Sequence, residues 1–235
     1  MPSLVDAFST AIHLLVTFDA NLVEIVVLSL KVSLSAVLLA ALLGLPLGAG
    51  IAVSRFPGRR GVIVVLNAMM ALPAVVVGLV VYLLLSRSGP MGFLGWLFTP
   101  TAMVFAQFIL ITPLIAALSR QAVEDLWEEY RELLHSLNVG TGAAVGTLLW
   151  DGRHRLLTTL LAGYGRAIAE VGAVIIVGGN IAHVTRVMTT AIALETSKGD
   201  LALALSLGMV LLLVSLLINV AAAFSSHAAQ RAQTS

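Results

Sequence analysis

The chain has 235 residues, of which 59 % are hydrophobic and 11 % charged, with a formal net charge of +1. A mean hydropathy of +1.03 lies far above what a domain of this length keeps in solution, so the composition excludes a water-soluble globular protein and predicts a polytopic membrane protein. The absence of cysteine excludes a disulfide framework and a thiolate metal site, and the small net charge says nothing about partners, because charge distribution carries that information.

Residues 1–21 form an N-terminal segment with apolar positions at Leu4, Ala7, Phe8, Ala11, Ile12 and Leu15. That helical spacing over a stretch too short to cross a bilayer predicts an amphipathic interfacial helix. Its only side-chain charges are Asp6 and Asp19, so no cleaved signal peptide is expected. Five longer apolar runs follow at 32–53, 62–85, 101–118, 156–177 and 201–220. Each approaches the roughly 20 residues that a helix needs to cross a core about 30 Å thick. The first run begins earlier, near Leu22, with Glu24 and Lys31 toward its outer end. The fold class expected is all-α: a polytopic helix bundle of five spans over residues 22–223, preceded by the interfacial helix and followed by a tail at 224–235.

Glycine and proline interrupt the spans in a pattern. Gly44, Pro46, Gly48 and Gly50 crowd the first, Pro73 divides the second, and Pro113 falls late in the third. Two readings stand for these positions, hinges and static kinks.

The one long polar interval, residues 120–155, holds six of the twelve acidic residues: Glu124, Asp125, Glu128, Glu129, Glu132 and Asp151. An acidic helix is followed by a breaker at Leu137, Asn138, Val139 and Gly140, then an apolar run, then Arg153, His154 and Arg155. Basic residues orient it. With the first span running inward, Arg55, Arg59, Arg60, Arg120, Arg131, Arg153, Arg155 and Arg231 lie inside, against Arg87, Arg186 and Lys198 outside. The polar loop and the C-terminus are therefore expected in the cytoplasm and the N-terminus outside.

Within the fourth span lie two ionisable residues, Arg166 and Glu170. Counted from Leu156 they sit about 15 and 21 Å deep, and i, i+4 spacing puts them on one helix face. An unpaired charge at that depth costs at least about 3 kcal/mol, so both are expected to face the protein interior. They fit a structural ion pair or a part of the transport path or gate. Asn67 and Gln107 read as helix-to-helix hydrogen-bond partners. Asn180 closes a Gly178, Gly179, Asn180 turn where free backbone amides suit an anion. The histidines show no metal-ligand spacing, so no metal site is expected.

The order of parts in the polar interval resembles the cytoplasmic coupling loop of ATP-binding-cassette importer permeases. Glu132, Leu133 and Leu134 stand for that family's Glu-Ala-Ala, Asn138 for its glycine, and Trp150 and Asp151 for its Leu-Pro. Asparagine also tolerates the left-handed backbone that such a turn needs. Residues 67–92, GYGRAIAEVGAVIIVGGNI (163–181) and TRVMTTAIALETSKGD (185–200) resemble the membrane subunit of tungstate importers, close to molybdate and sulfate permeases.

The resemblance implies a type I importer permease. It implies that Glu132, Leu133, Leu134, Asn138, Val139 and Gly140 couple to an ATPase, and that Arg166, Glu170, Gly178, Gly179 and Asn180 belong to the translocation path or gate. It implies a cell-membrane homodimer with two cytoplasmic ATPase subunits, which bind the ATP and magnesium, and an extracytoplasmic oxyanion-binding protein. No cofactor in this chain and no nucleic-acid partner are expected. The chain lacks a Gly-x-x-x-x-Gly-Lys-[Ser/Thr] phosphate loop, so ATP hydrolysis by that chemistry is expected elsewhere. The rival from another class is an ion-coupled secondary transporter, which calls for several deep carboxylates or inverted repeats.

Overall fold

The computed structural model describes residues 4–233, with side chains described from 8 to 224; Arg231, His227 and the ends of both terminal segments lie outside those side chains. All regular structure among the described residues is helical. In chain order the helices are α1 (Leu4–Val16), α2 (Ala20–Val53), α3 (Arg59–Met70), α4 (Ala74–Leu85), α5 (Pro100–Ser136), α6 (Thr141–Asp151), α7 (Arg153–Ile168), α8 (Gly172–Gly178), α9 (Met188–Lys198) and α10 (Leu201–Gln233). A short 3-10 turn at Gly92–Leu94 lies between α4 and α5. By length and composition α2, α5 and α10 can each cross a membrane, and counting α3 with α4 and α7 with α8 as bent spans gives five. The expected all-α membrane fold is found, with two of its spans broken.

Each break has a local cause. Proline disfavours helical backbone in the residue before it, so α3 stops at Met70 and Pro73, in extended backbone at ψ 122°, begins α4 as its N-cap. Pro46 and Pro113 lie inside α2 and α5 without ending them. Between α1 and α2 the chain turns at Phe18, φ 51°. The Asp19 carboxylate then accepts the amides of Asn21 (3.0 Å) and Leu22 (3.1 Å), capping α2. At the other end, α10 runs on to Gln233, across the boundary expected at 224.

The chain forms two compact units. The first comprises the residues up to Ala36, Pro73–Gln107 and Arg166–Leu217. Its core is the contact of α4 with α8, where Gly78 backs onto Ala173: a methyl group at 78 would stand 2.7 Å from the Ala173 Cα. Val77, Val81, Leu85, Val174 and Val177 are buried around that contact. The start of α9 is pinned in the same unit, the Met188 amide donating to Ser29 Oγ at 2.7 Å.

The second unit comprises Val37–Leu72, Phe108–Gly165 and the chain from Ile218 onward. Here α2 lies against α5 through a small-xxx-small pair, Gly44 and Gly48. A methyl on Gly44 would stand 3.0 Å from Ile115 Cγ2, and one on Gly48 would run into the Ala116 carbonyl oxygen. Ser119 Oγ adds a hydrogen bond to the Leu45 carbonyl at 3.1 Å. Gly44 and Gly48 are thus contact residues, whereas Gly50 has open space around it. Ala49, Ala52 and Val53 of α2, Val123, Leu126 and Leu134 of α5, and Ala144 and Leu148 of α6 share one buried core. Arg59 reaches back to the end of α2, its Nε donating to the Ile51 carbonyl at 2.9 Å, and pairs with Glu124 at 2.7 Å. Glu124 pairs also with Arg120, so one carboxylate serves two guanidiniums.

Candidate functional site

The segment expected to couple to an ATPase begins on the last turns of α5. Leu134 is buried in the core shared with α6, while Glu132 and Leu133 are exposed. Alternate faces of a helix produce that split: the residue that holds the segment down is next to those that point away. The helix then ends on a Schellman motif. The Val139 amide donates to the Leu134 carbonyl (3.0 Å) and the Asn138 amide to the His135 carbonyl (3.0 Å), with Asn138 in the left-handed region at φ 52°. Asparagine at 138 adopts the backbone that the sequence leads one to expect of it. Val139 packs on the core beside Leu134, which completes the hydrophobic contact of the motif. Gly140 is the N-cap of α6 and Asp151 its last residue. Arg153 then stacks over Trp150, with its guanidinium carbon 5.3 Å from the ring centroid. Leu133, Leu137 and Trp150 form exposed apolar points along this segment.

Arg166 and Glu170 come together, their nearest atoms 3.6 Å apart, but by a geometry that differs from the expected one. Helix α7 ends at Ile168, so Glu170 lies in the break before α8 and the two residues do not share a continuous helix. The break has a function for the carboxylate: Glu170 Oε1 accepts the Ala173 amide (3.3 Å) in the first turn of α8, where negative charge is favoured. Within the single chain the Glu170 side chain is buried, 6 % exposed, and the Arg166 side chain is 48 % exposed. The pair is a buried anion with a half-open cation. Beside it, Gln107 of α5 donates to the Ala167 carbonyl at 2.9 Å, as a helix-to-helix partner should. Asn67 is exposed.

The Gly178, Gly179, Asn180 turn is left-handed at its last two residues, φ 72° and 50°. One of its amides that sequence reasoning takes as free is engaged, Gly179 with the Ile175 carbonyl (3.0 Å), and the next amide after the turn, Ile181, donates to Thr185 Oγ1 (2.9 Å). The Asn180 side chain is spent on α9, its Nδ2 donating to the Thr190 carbonyl (3.2 Å) and its Oδ1 accepting from Thr190 Oγ1 (3.0 Å). Thr185 Oγ1 donates to the Gly178 carbonyl at 2.6 Å. The turn is therefore tied to α9 through the Asn180 side chain and to Thr185 through the Gly178 carbonyl.

Sequence reasoning missed what joins these parts. Thr189 Oγ1 donates to the Glu170 carbonyl at 2.9 Å, while its neighbour Thr190 holds Asn180, so the start of α9 ties both halves of the expected path. It also missed Glu195, buried beside Arg186 (3.8 Å) and Lys198 (3.0 Å), and the contact of His183 with Glu24 (2.8 Å) across 159 residues of sequence. The one signal for the threonines was their place inside the family-like TTAIALET run.

No protein-family model matches the chain. It is 40 % identical over 219 residues to the tungstate uptake system permease protein TupB of Peptoclostridium acidaminophilum, covering 93 % of this chain and 96 % of that one. It is 43 % identical over 204 residues to a probable anion ABC transporter permease of Haloferax volcanii, covering 84 % and 88 %. The chain belongs to the tungstate-uptake family of ABC transporter permeases. A sulfate transport permease, CysT of Salmonella typhimurium, is more distant at 30 % over 178 residues, 70 % of this chain and 62 % of that one. Membership agrees with the apolar helices: the chain is a multi-pass membrane permease, and its relatives are named for transport and not for catalysis.

Proposed function

We propose that this permease carries a metal oxyanion inward, tungstate foremost, by alternating access driven by a separate ATPase subunit. The observation that carries the reading is the likeness, along nearly the whole of both chains, to a permease named for tungstate uptake. Two copies of the chain form the path, two ATPases dock on Glu132, Leu133, Leu134, Asn138, Val139 and Gly140, and an extracytoplasmic protein delivers the anion. The larger number of arginines and lysines in the segments expected inside than in those expected outside supports a cytoplasmic docking segment and an outer N-terminus.

The geometry supports a division of labour. Leu134, Ala144 and Leu148 join the docking segment to the end of α2 through one core, so motion imposed on α6 reaches α2 without slack. Arg166 offers a half-open cation to a dianion, and Glu170 anchors it. Gly178, Gly179, Asn180 and the start of α9 frame the gate. Tungstate and molybdate share charge and nearly share size, so such a path discriminates between them weakly and the binding protein supplies the selection.

Proteoliposomes holding this chain, its ATPase and its binding protein test the reading. ATP-dependent uptake of tungstate, with molybdate moved at a similar rate when the binding protein accepts both, is the expected result. The likeness to CysT supports sulfate as the second reading, and uptake of sulfate with none of tungstate would replace the first.

A further inference from the structure

A cavity of about 580 Å³ opens in the second unit beside the docking segment, between the end of α2, the last turns of α5 and the start of α6. Its walls carry Arg55, Arg131 and His135, the hydroxyl residues Ser54 and Thr141, and Trp127, with no carboxylate residue among the lining. The nearby acids are committed or turned elsewhere: Glu124 is held by Arg59 and Arg120, Asp125 by Arg155 at 3.2 Å, and Glu128, Glu129 and Glu132 are exposed. Among the described residues neither Arg55 nor Arg131 has a carboxylate within ion-pair distance. Trp127 and His135 meet edge to face, ring centroids 5.7 Å apart, which fixes the imidazole against the wall. Thr141 opens the eleven-residue α6 behind Gly140, which has no side chain to cap it, so the open amides of that first turn add to the same field.

We propose that this cavity binds a tetrahedral oxyanion, either a free inorganic anion or the phosphate of a lipid headgroup. Two guanidiniums without carboxylate partners, an imidazole, two hydroxyls and a helix start supply donors from three helix ends, which is the coordination a compact dianion takes. The site is separate from the residues assigned to the path and from Glu132, and it stands whether or not the chain carries tungstate. It shares Val139 and the start of α6 with the docking segment, so an occupant sits against the surface where the ATPase is proposed to dock.

Trp127 is a built-in reporter. The full chain with Trp96→Phe and Trp150→Phe, which leaves Trp127 as its one tryptophan, is placed in zwitterionic nanodiscs and titrated with tungstate, sulfate and inorganic phosphate at constant ionic strength. A saturable change in Trp127 emission is expected. Arg55→Gln and Arg131→Gln should each raise the half-saturating concentration about tenfold, and Arg55→Lys less. If the occupant is a lipid, the soluble anions leave the emission unchanged and nanodiscs containing phosphatidylglycerol shift it, with the same sensitivity to both arginines. Elution volume and melting temperature equal to those of the parent exclude misfolding, and a variant that fails them is replaced by the lysine form. The proposal is overturned if neither source gives a saturable signal, if chloride gives the same one, or if the glutamine variants titrate like the parent. It is also overturned if those variants keep anion affinity and lose capture of the ATPase, which would assign both cations to that partner.

Discussion

The proposed docking segment at 132–140 and the polar segment at 166–190 draw on similar side chains and spend them in opposite directions. In the first, the Schellman motif satisfies the backbone and leaves Glu132, Leu133 and Leu137 exposed. In the second, Thr189 is bonded to the Glu170 carbonyl, Thr190 to Asn180 and Thr185 to the Gly178 carbonyl, and Arg166 is left half open. A surface that must receive a partner keeps its polar groups outward, whereas polar groups at membrane depth must be satisfied within the protein. Damage to the second should therefore appear as lost stability and damage to the first as a lost partner.

The largest effect is expected at the buried carboxylate. Arg166→Ala strands Glu170 and should cost about 3 to 5 kcal/mol, discounted by whatever solvent the half-open guanidinium already saw. The double change Arg166→Ala with Glu170→Ala should be milder than Arg166→Ala alone; strictly additive losses in thermal unfolding would show that the two residues act independently. Next comes Leu134→Pro, which should cost about 3 kcal/mol in the last turns of α5 and abolish ATPase capture while the spans still insert. Normal capture by that variant would remove 132–140 as the docking site. Asn180→Ala deletes both contacts with Thr190 and should destabilise by about 1 to 3 kcal/mol, and melting unchanged from the parent would break the claim that Asn180 ties the turn to α9. The smallest stability effect belongs to Glu132→Lys, within about 0.5 kcal/mol, because the side chain is exposed. ATPase capture and coupled uptake should nevertheless fall, and it is this mismatch between stability and function that separates the two segments.

What could be read from sequence divides along the same line. The five spans, the breaker at 138 and the break at Pro73 were legible because each follows from local rules: run length, left-handed tolerance, and the restriction proline places on its predecessor. The pairing of Arg166 with Glu170 was legible from spacing although the spacing argument assumed a helix that ends too soon. That end goes with a local bond from the Ala173 amide to Glu170 and with Gly172 meeting Val75, whose methyl would be 2.7 Å from a Cβ at 172, and the second of these is not encoded nearby in the chain. The roles of Thr189 and Thr190 were illegible for the same reason, since their partners lie 19 and 10 residues away. For Gly44 and Gly48 the sequence left hinge and kink open; the partner helix supplied the answer, which is contact.

That contact sets how position 48 can vary. Any side chain there begins with a carbon placed into the Ala116 carbonyl oxygen and 2.9 Å from the Arg120 amide nitrogen, both of them backbone atoms that no rotamer can move aside. Two residues on, a methyl at 50 meets nothing. In a saturation library scored for uptake, the column for 48 should hold one letter and the column for 50 many, although both are glycines on the same helix.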